Sequence, residues 1–368
     1  MKIKTQILIA NPRPFRLVLR NKYDTWSPTI QQINNASYNY VKLHRATKFF
    51  DAEIESPFPL CVAFDGSFIL PAASAYRTID ATLDEFNRIF ASILIGGIYI
   101  ESIEPADLSQ GEMTEHGYFR HTSSLGGNGK LHQSLGNKDA GTSNTIVLMN
   151  PPKILASELE AAYNAGASVL KTVSNISPSL LITSFTYFLK GQLRESLSHA
   201  WICIEQILDE MWRTRVVKET LSSQIVKRRK FLESQQWSAA HKVELLYQKE
   251  SIPESLYTKI TLSREARNKF IHRGSAPSHS DAKTALDALI DLLKNISDSL
   301  FVNFNDEKMR DHLHPSSMNS PSTVVSTAEK VDWARPSYWK ALPPIPGEEK
   351  WEGDFEKFSD ITLQPIEK

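Results

Sequence analysis

The feature that most limits what this chain can fold into is a change of hydrophobic period at Pro151-Pro152. Ahead of it, the runs TQILIA, FRLVLR, FPLCVAF, SFILPA and TIVLM alternate or cluster apolar residues between Pro or Gly boundaries. That is the pattern of strands, because branched and aromatic side chains pack well on a pleated surface. One helix interrupts them: Ile79, Leu83, Phe86, Phe90, Ile93 and Leu94 recur at three- and four-residue intervals until Gly96-Gly97. The Gly-, Ser-, Asn- and His-rich segment 111–144 predicts a long loop. Within it, GGNGK (126–130) reads as a flexible stretch, since it lacks the Gly-Lys-Ser/Thr ending of a phosphate loop.

After the two prolines the helical period dominates to about Phe304. Helices are predicted around Leu155 to Val173, Leu180 to Trp212, Ser238 to Gln248, Pro253 to His272 and Ser280 to Leu300. Pro253 suits a first helical turn, where its missing N–H costs nothing, and Gly274 suits the position just past a helix end. The expected fold class is thus an α+β N-terminal domain (1–152), taken as sensing or regulatory, followed by an all-α region (153–304). An extended, Pro-rich tail (305–368) carries seven of the nineteen prolines. Trp333, Tyr338, Trp339 and Trp351 predict that part of this tail docks on the folded body.

Composition adds boundaries rather than identity. A chain of 368 residues with 41% apolar side chains buries a sizeable core. Its 42 basic and 42 acidic residues cancel, so any attraction for nucleic acid has to come from local patches. Cys61 and Cys203 both sit in apolar runs, which predicts buried thiols, no disulfide and a reducing compartment. The apolar stretches are too short to span a bilayer, and Pro12 and Pro14 cut short the N-terminal one, so a cytoplasmic protein without membrane contact is expected. His116, His121 and His132 match no familiar ligand spacing, and neither metal nor cofactor is expected.

The segment SREARNKFIHRG (263–274) carries the chemistry. Projected on a helix, the apolar stripe takes in Leu256, Ile260, Arg267, Phe270 and Ile271, which places a guanidinium on the face expected to be buried. The helix bearing Leu197, Trp201, Ile204, Leu208 and Met211 carries Glu205 on its own apolar stripe. Glu205 is therefore expected to face the interior near Arg267, as a supporting partner, because a buried charge persists when it is paired. Asn268 and His272 lie one turn apart on a common face. Arg267 stands about 140° from His272 on an ideal helix. The two would converge where the helix loosens near Gly274 or where two copies of the helix meet.

RNKFIH followed by RG, then SHSDAKTALDALIDLLKNI, and before them SLSHAWICIEQIL, resemble the HEPN superfamily over residues 181–304. Ribonuclease members of that family carry an Arg-(x)4–6-His motif, often with Asn after the Arg. The resemblance implies a four-helix bundle and a homodimer cutting RNA without a metal ion, with Arg267 and His272 catalytic and Asn268 supporting. It also implies a toxin or anti-phage setting. An imidazole titrating near neutrality can move a proton from the ribose 2′-OH or to the leaving 5′-oxygen. A guanidinium can hold the phosphate in a fork. The expected products are a 2′,3′-cyclic phosphate and a 5′-hydroxyl, and DNA should be spared. Residues 181–304 hold 18 Lys/Arg against 14 Asp/Glu, whereas the tail holds 8 against 12. Lys227, Arg228, Arg229 and Lys230, with Arg264, Lys269 and Arg273, are the candidate RNA contacts. The competing expectation is a non-catalytic interaction or nucleotide-binding module, and either would take a regulatory partner or trigger at the N-terminal domain.

Overall fold

Strand alternation lets one sheet face two cores. The computed structural model describes residues 4–50, 58–124, 126–137, 146–218, 226–234 and 236–297. Its strands are β1 (Lys4–Ala10), β2 (Leu17–Leu19), β3 (Ala46–Phe49), β4 (Cys61–Ala63), β5 (Phe68–Pro71), β6 (Leu108–Thr114), β7 (Phe119–Ser124) and β8 (Lys153–Leu155). Six of them pair antiparallel in the order β3-β4-β5-β1-β6-β7, while β2 and β8 form a separate parallel pair. Along β1, Leu8 and Ala10 join the large apolar core, and Ile7 and Ile9 join a second cluster with Cys61, Ala63, Ile69, Met113 and Phe119. The first and last strands of the sheet meet. Arg45 bridges to Tyr118, the Ala46 N–H donates to the Gly117 carbonyl (2.8 Å), and the Phe119 N–H donates to the His44 carbonyl (3.0 Å). The sheet therefore curls until its edges touch at residues 44–46 and 117–119, which covers the strand edges there, beside Ala46 and Phe119 of the second cluster.

The helices are α1 (Ile30–Asn34), α2 (Tyr40–Leu43), α3 (Ile79–Ile95), α4 (Gly127–Asn137), α5 (Ala156–Thr172), α6 (Pro178–Leu189), α7 (Leu193–Met211), α8 (Val226–Leu232), α9 (Ala239–Gln248), α10 (Glu254–Arg273) and α11 (His279–Ser297). The long loop expected over 111–144 is instead β6, β7 and α4 as far as the described residues run. Polarity concealed them: Gly111 sits where a Cβ would lie 2.4 Å from the Arg120 carbonyl, and the strands are paired by close backbone approach rather than by apolar alternation. GGNGK opens α4, where Gly129 passes so close to the Ser109 and Ser124 hydroxyls that a Cβ would meet them at 2.7 and 3.1 Å. TIVLM forms no strand; Ile146–Leu148 is a short 3-10 turn whose Leu148 is buried beside Trp26. The single stretch expected from Leu180 to Trp212 breaks at Gly191 (φ +72°) into α6 and α7.

α3 lies on the outer face of the sheet, with Phe68 and Phe90 edge to face at 5.0 Å, and α5 and α6 pack against α3. One apolar cluster consequently runs from Val62 and Phe68 through α3 and α5 to Leu293, so packing is continuous across the Pro152 position expected to divide two domains. All described residues fall within one compact unit, 1–315. Expectations for the tail at 305–368 lie outside the described residues. The α3–α5 crossing is tight enough to need glycine, because a Cβ on Gly166 would sit 1.8 Å from the Ser92 carbonyl oxygen and one on Gly96 2.1 Å from that of Ala162. Gly166→Ala gains about 1 kcal/mol of helix propensity, but overpacking against immobile backbone costs about 1–3 kcal/mol or more. A net loss of stability is expected, read as a lower urea midpoint; an unchanged midpoint would mean the two helices separate freely.

Among the described residues no helix is long and apolar enough to cross a membrane. Both cysteines are buried and unpaired, and burial pushes the Cys203 thiol up to about 12.

Candidate functional site

α10 begins after Pro253 and stays helical to Arg273, where Gly274 (φ +67°) turns the chain. The Gly274 N–H closes the end on the Phe270 carbonyl (3.0 Å), and His272 and Arg273 place positive character in the last turn, where exposed carbonyls favour it. Five residues later, Ser278 and Asp281 cap the start of α11 reciprocally: the Ser278 N–H donates to Asp281 Oδ2 (2.8 Å), and the Asp281 N–H donates to Ser278 Oγ (3.1 Å). The two helices pack together, tied across their surface by Lys259 and Asp291 (2.6 Å).

The buried side of α10 is Leu256, Ile260, Ser263 and Ala266. Arg267 and Phe270 are half-buried, and Ile271, expected on the apolar stripe, is 51% exposed because the last turns of α10 are incompletely covered. Arg267 Nη1 donates to Asn268 Oδ1 (3.2 Å), and no carboxylate pairs with this guanidinium among the described residues. Asn268 and His272 are exposed. The helix does not loosen before Arg273, so one copy of α10 leaves Arg267 and His272 about 140° apart. Ile271 falls between them on the helical projection, about 40° beyond Arg267.

Glu205 is half-buried on α7 but forms no ion pair with Arg267 among the described residues. The register of the helices explains this. Past the end of α7, in a π-helical turn (Trp212–Val217), Arg215 donates to the Ser251 carbonyl (2.8 Å) just before α10 and to Asn295 Oδ1 (2.9 Å) near the end of α11. α7 and α10 therefore run antiparallel, and Glu205 comes level with the turn around Ile260, about 10 Å short of Arg267 along the axis.

The candidate RNA contacts divide into two groups. Half-buried Arg264 and exposed Lys269 and Arg273 lie on α10 beside the motif. Lys227, Arg228 and Lys230 are exposed on α8, which also contains Arg229 in its backbone. The Leu232 carbonyl at the end of α8 accepts from the Trp212 indole (2.9 Å), which ties α8 to the end of the helix bundle where α10 begins. The length of α10, on the order of 30 Å, separates that end from His272.

A second polar constellation lies under α4, at the mouth of the curled sheet. His132 Nδ1 meets Asp65 Oδ2 at 2.7 Å, Ser67 Oγ donates to Asp65 Oδ2 (2.8 Å), and Asn11 Nδ2 donates to Ser67 Oγ (2.7 Å). His44 contacts the His132 carbonyl through Nε2 (3.1 Å) and lies 5.0 Å from the His121 ring. His132 Nε2, both ring nitrogens of His121, Asn11 Oδ1, Ser109 Oγ and Ser124 Oγ have no hydrogen-bond partner among the described residues. Burial pushes the His121 imidazole down to about 3 and lowers that of His44 as well. Burial alone would raise the Asp65 carboxyl, but its contact with His132 brings it down to about 2. With His132 only 1% exposed, this arrangement is a sealed polar core, and Ser67, itself buried beside Nδ1 rather than Nε2, is not placed as a nucleophile. His121 and His132 are two of the three histidines, with His116, whose spacing matches no familiar ligand set; Asp65, Ser67 and His44 leave no mark in the sequence, since the Asp65–His132 contact joins residues 67 apart and no local pattern announces it. Among the described residues no three His, Cys, Asp or Glu side chains are grouped to hold a metal ion.

Comparison of the chain with protein-family models, with curated proteins and with solved structures finds no match in any of the three.

Proposed function

We propose that this protein is a metal-independent endoribonuclease of the HEPN type, acting as a homodimer in a toxin or anti-phage role. Arg267 binds the scissile phosphate and steadies its developing charge. His272 transfers the proton of the attacking 2′-OH or of the leaving 5′-oxygen, and Asn268 orients the guanidinium. The observation that carries the reading is the state of Arg267: half-buried, without a carboxylate partner among the described residues, and held by Asn268, which lies one turn before exposed His272. A guanidinium left without a counter-charge is available for a phosphate. Arg264, Lys269 and Arg273 extend positive charge along the same helix and give RNA a track past the motif.

A second copy of the chain is integral to this reading, because a single α10 keeps Arg267 and His272 on different sides. Ile271, exposed between them, is the apolar contact a second α10 would cover. Ile271→Asp is therefore expected to shift the protein from dimer to monomer in sedimentation and to lower RNA cleavage in parallel. A monomeric wild type that still cuts RNA would remove the composite cleft from the proposal.

The direct test incubates purified protein with total RNA in EDTA and maps the fragment ends. Cyclic phosphates at the 3′ ends and hydroxyls at the 5′ ends are expected. The absence of cleavage, with binding of protein or nucleotide ligands instead, would favour the non-catalytic alternative.

A further inference from the structure

A cleft of about 570 Å³ lies between the loop after β2, α2 and the seam where the sheet edges meet. Pockets of roughly 300–1,000 Å³ are the size that takes a small organic ligand. The polar groups at this cleft are donors. Arg20 and Arg45 are exposed, and neither guanidinium pairs with a carboxylate among the described residues. Asn21 and Asn39 commit their Oδ1 atoms to the Tyr23 and Lys42 N–H groups (2.9 and 3.2 Å), which leaves their amide nitrogens to donate. Asp24, the one carboxylate in the lining, is occupied: its Oδ1 accepts from Lys42 Nζ at 2.5 Å, and its Oδ2 accepts from the backbone N–H of Arg20 at 3.3 Å. A site with several donors and its acceptor already engaged is matched to an anion with many acceptor oxygens.

The apolar part of the cleft is aromatic. Tyr23 is 78% exposed and Tyr118 is 38% exposed, and the Arg45 guanidinium stands 5.4 Å from the Tyr118 ring. Strand alternation fixes this arrangement, since His44 and Phe119 turn inward and stack at 4.8 Å while their neighbours Arg45 and Tyr118 turn outward. Lys42 is pinned over the Phe64 ring at 4.4 Å and forms a rigid base. Exposed rings beside guanidinia that no carboxylate pairs among the described residues suit a ligand that joins a flat heterocycle to phosphate, because a base can stack on a ring while the phosphates take the forked donors. We propose that this cleft binds a nucleotide, with Arg20 and Arg45 on the phosphates and Tyr118 and Tyr23 against the base. The inference stands independently of the nuclease reading, which concerns α10.

Titration calorimetry on the full-length chain tests it with ATP, UTP, adenosine and inorganic triphosphate. ATP or UTP is expected to bind saturably, with adenosine and triphosphate each at least about tenfold weaker, since each supplies only half of the contacts. Arg45→Ala and Arg20→Ala are each expected to weaken nucleotide binding about tenfold or more, and Tyr118→Leu to narrow the gap between ATP and triphosphate, with circular dichroism verifying that each variant is folded. Triphosphate binding as tightly as ATP would overturn the proposal, as would nucleotide affinity unchanged in the folded Arg20→Ala/Arg45→Ala double variant. Binding of a single-stranded oligonucleotide in the absence of any ATP or UTP binding would overturn it in favour of a strand-binding groove.

Discussion

His272→Ala is expected to lower the single-turnover rate of RNA cleavage by about 10²–10⁴, the range a positioned acid or base supplies. Arg267→Ala is expected to lower it by about 10²–10³, the scale of one lost donor to a developing oxyanion. The fold should be unchanged in both, because His272 is exposed and Arg267 only half-buried at the end of α10. Arg267→Lys is the sharper probe, since it keeps the charge but loses the fork that can engage Asn268 and a phosphate together. A rate near that of Arg267→Ala assigns the role to geometry; a rate near wild type assigns it to charge alone. Because the activity is proposed to arise between two copies, mixing the inactive Arg267→Ala and His272→Ala proteins probes whether sites are shared. Recovery of part of the wild-type rate supports a site built from both subunits, while full activity of either variant alone would sink the assignment. Growth inhibition on expression, relieved by His272→Ala, is the matching expectation in cells.

The second large effect concerns acid. Folded, the His121 imidazole titrates at about 3 because burial disfavours its charge, and its neighbours His44 and His132 add like charge while Asp65 opposes them. In the unfolded chain it titrates near 6.5. As pH falls between these values the unfolded chain binds the proton and the folded chain does not, so stability decreases throughout that window. At pH 4 the loss from this one group reaches about 3 kcal/mol. Asp65 acts in the same direction further down: its depressed carboxyl stabilises the fold above its unfolded value of 3.8, and that contribution is lost as pH drops through about 2. His121→Leu removes two buried nitrogens that have no partner among the described residues and should raise stability at pH 7 by about 1–3 kcal/mol. It should also flatten the decline between pH 6.5 and 4, as measured by urea unfolding across that range. The same slope in variant and wild type would show that His121 carries its proton in the folded state.

These two predictions rest on features that sequence reading reached unequally. Both ends of α10 and the start of α11 were legible to within a residue or so, because Pro253, Gly274 and Ser278 mark them chemically and an apolar face runs between them; the expected end of α11 at Leu300 lies outside the described residues. The motif was legible for the same reason: a helix carries its residues in a fixed angular order, so placing Arg267 places His272. What lies between helices was not. Glu205 occupies an inward-leaning stripe, yet its partner depends on how far one helix slides along another, and the Arg215 contact sets that offset. β6, β7 and α4 were hidden because small and polar residues fill the positions where their backbones meet. There Gly111, Ser109, Ser124 and Gly129 serve close approach, and their composition matches that of a loop. The Asp65–His132 contact and the Arg45–Tyr118 seam each join distant segments, so neither leaves a local periodic trace.

The glycine-lined crossing of α3 and α5 has a consequence for how the molecule can be divided. β8 and α5 follow Pro152 in the chain, yet β8 completes a strand pair with β2, and α5 lies backbone to backbone on α3. A protease cut or gene truncation at Pro152 would strip an apolar face from each fragment, so neither piece should survive as a folded module. Heating should melt sheet and helices in one transition. Among the described residues the interior shared by sheet and helices has no break at Pro152 about which one part could swing against the other, so the two move as one body.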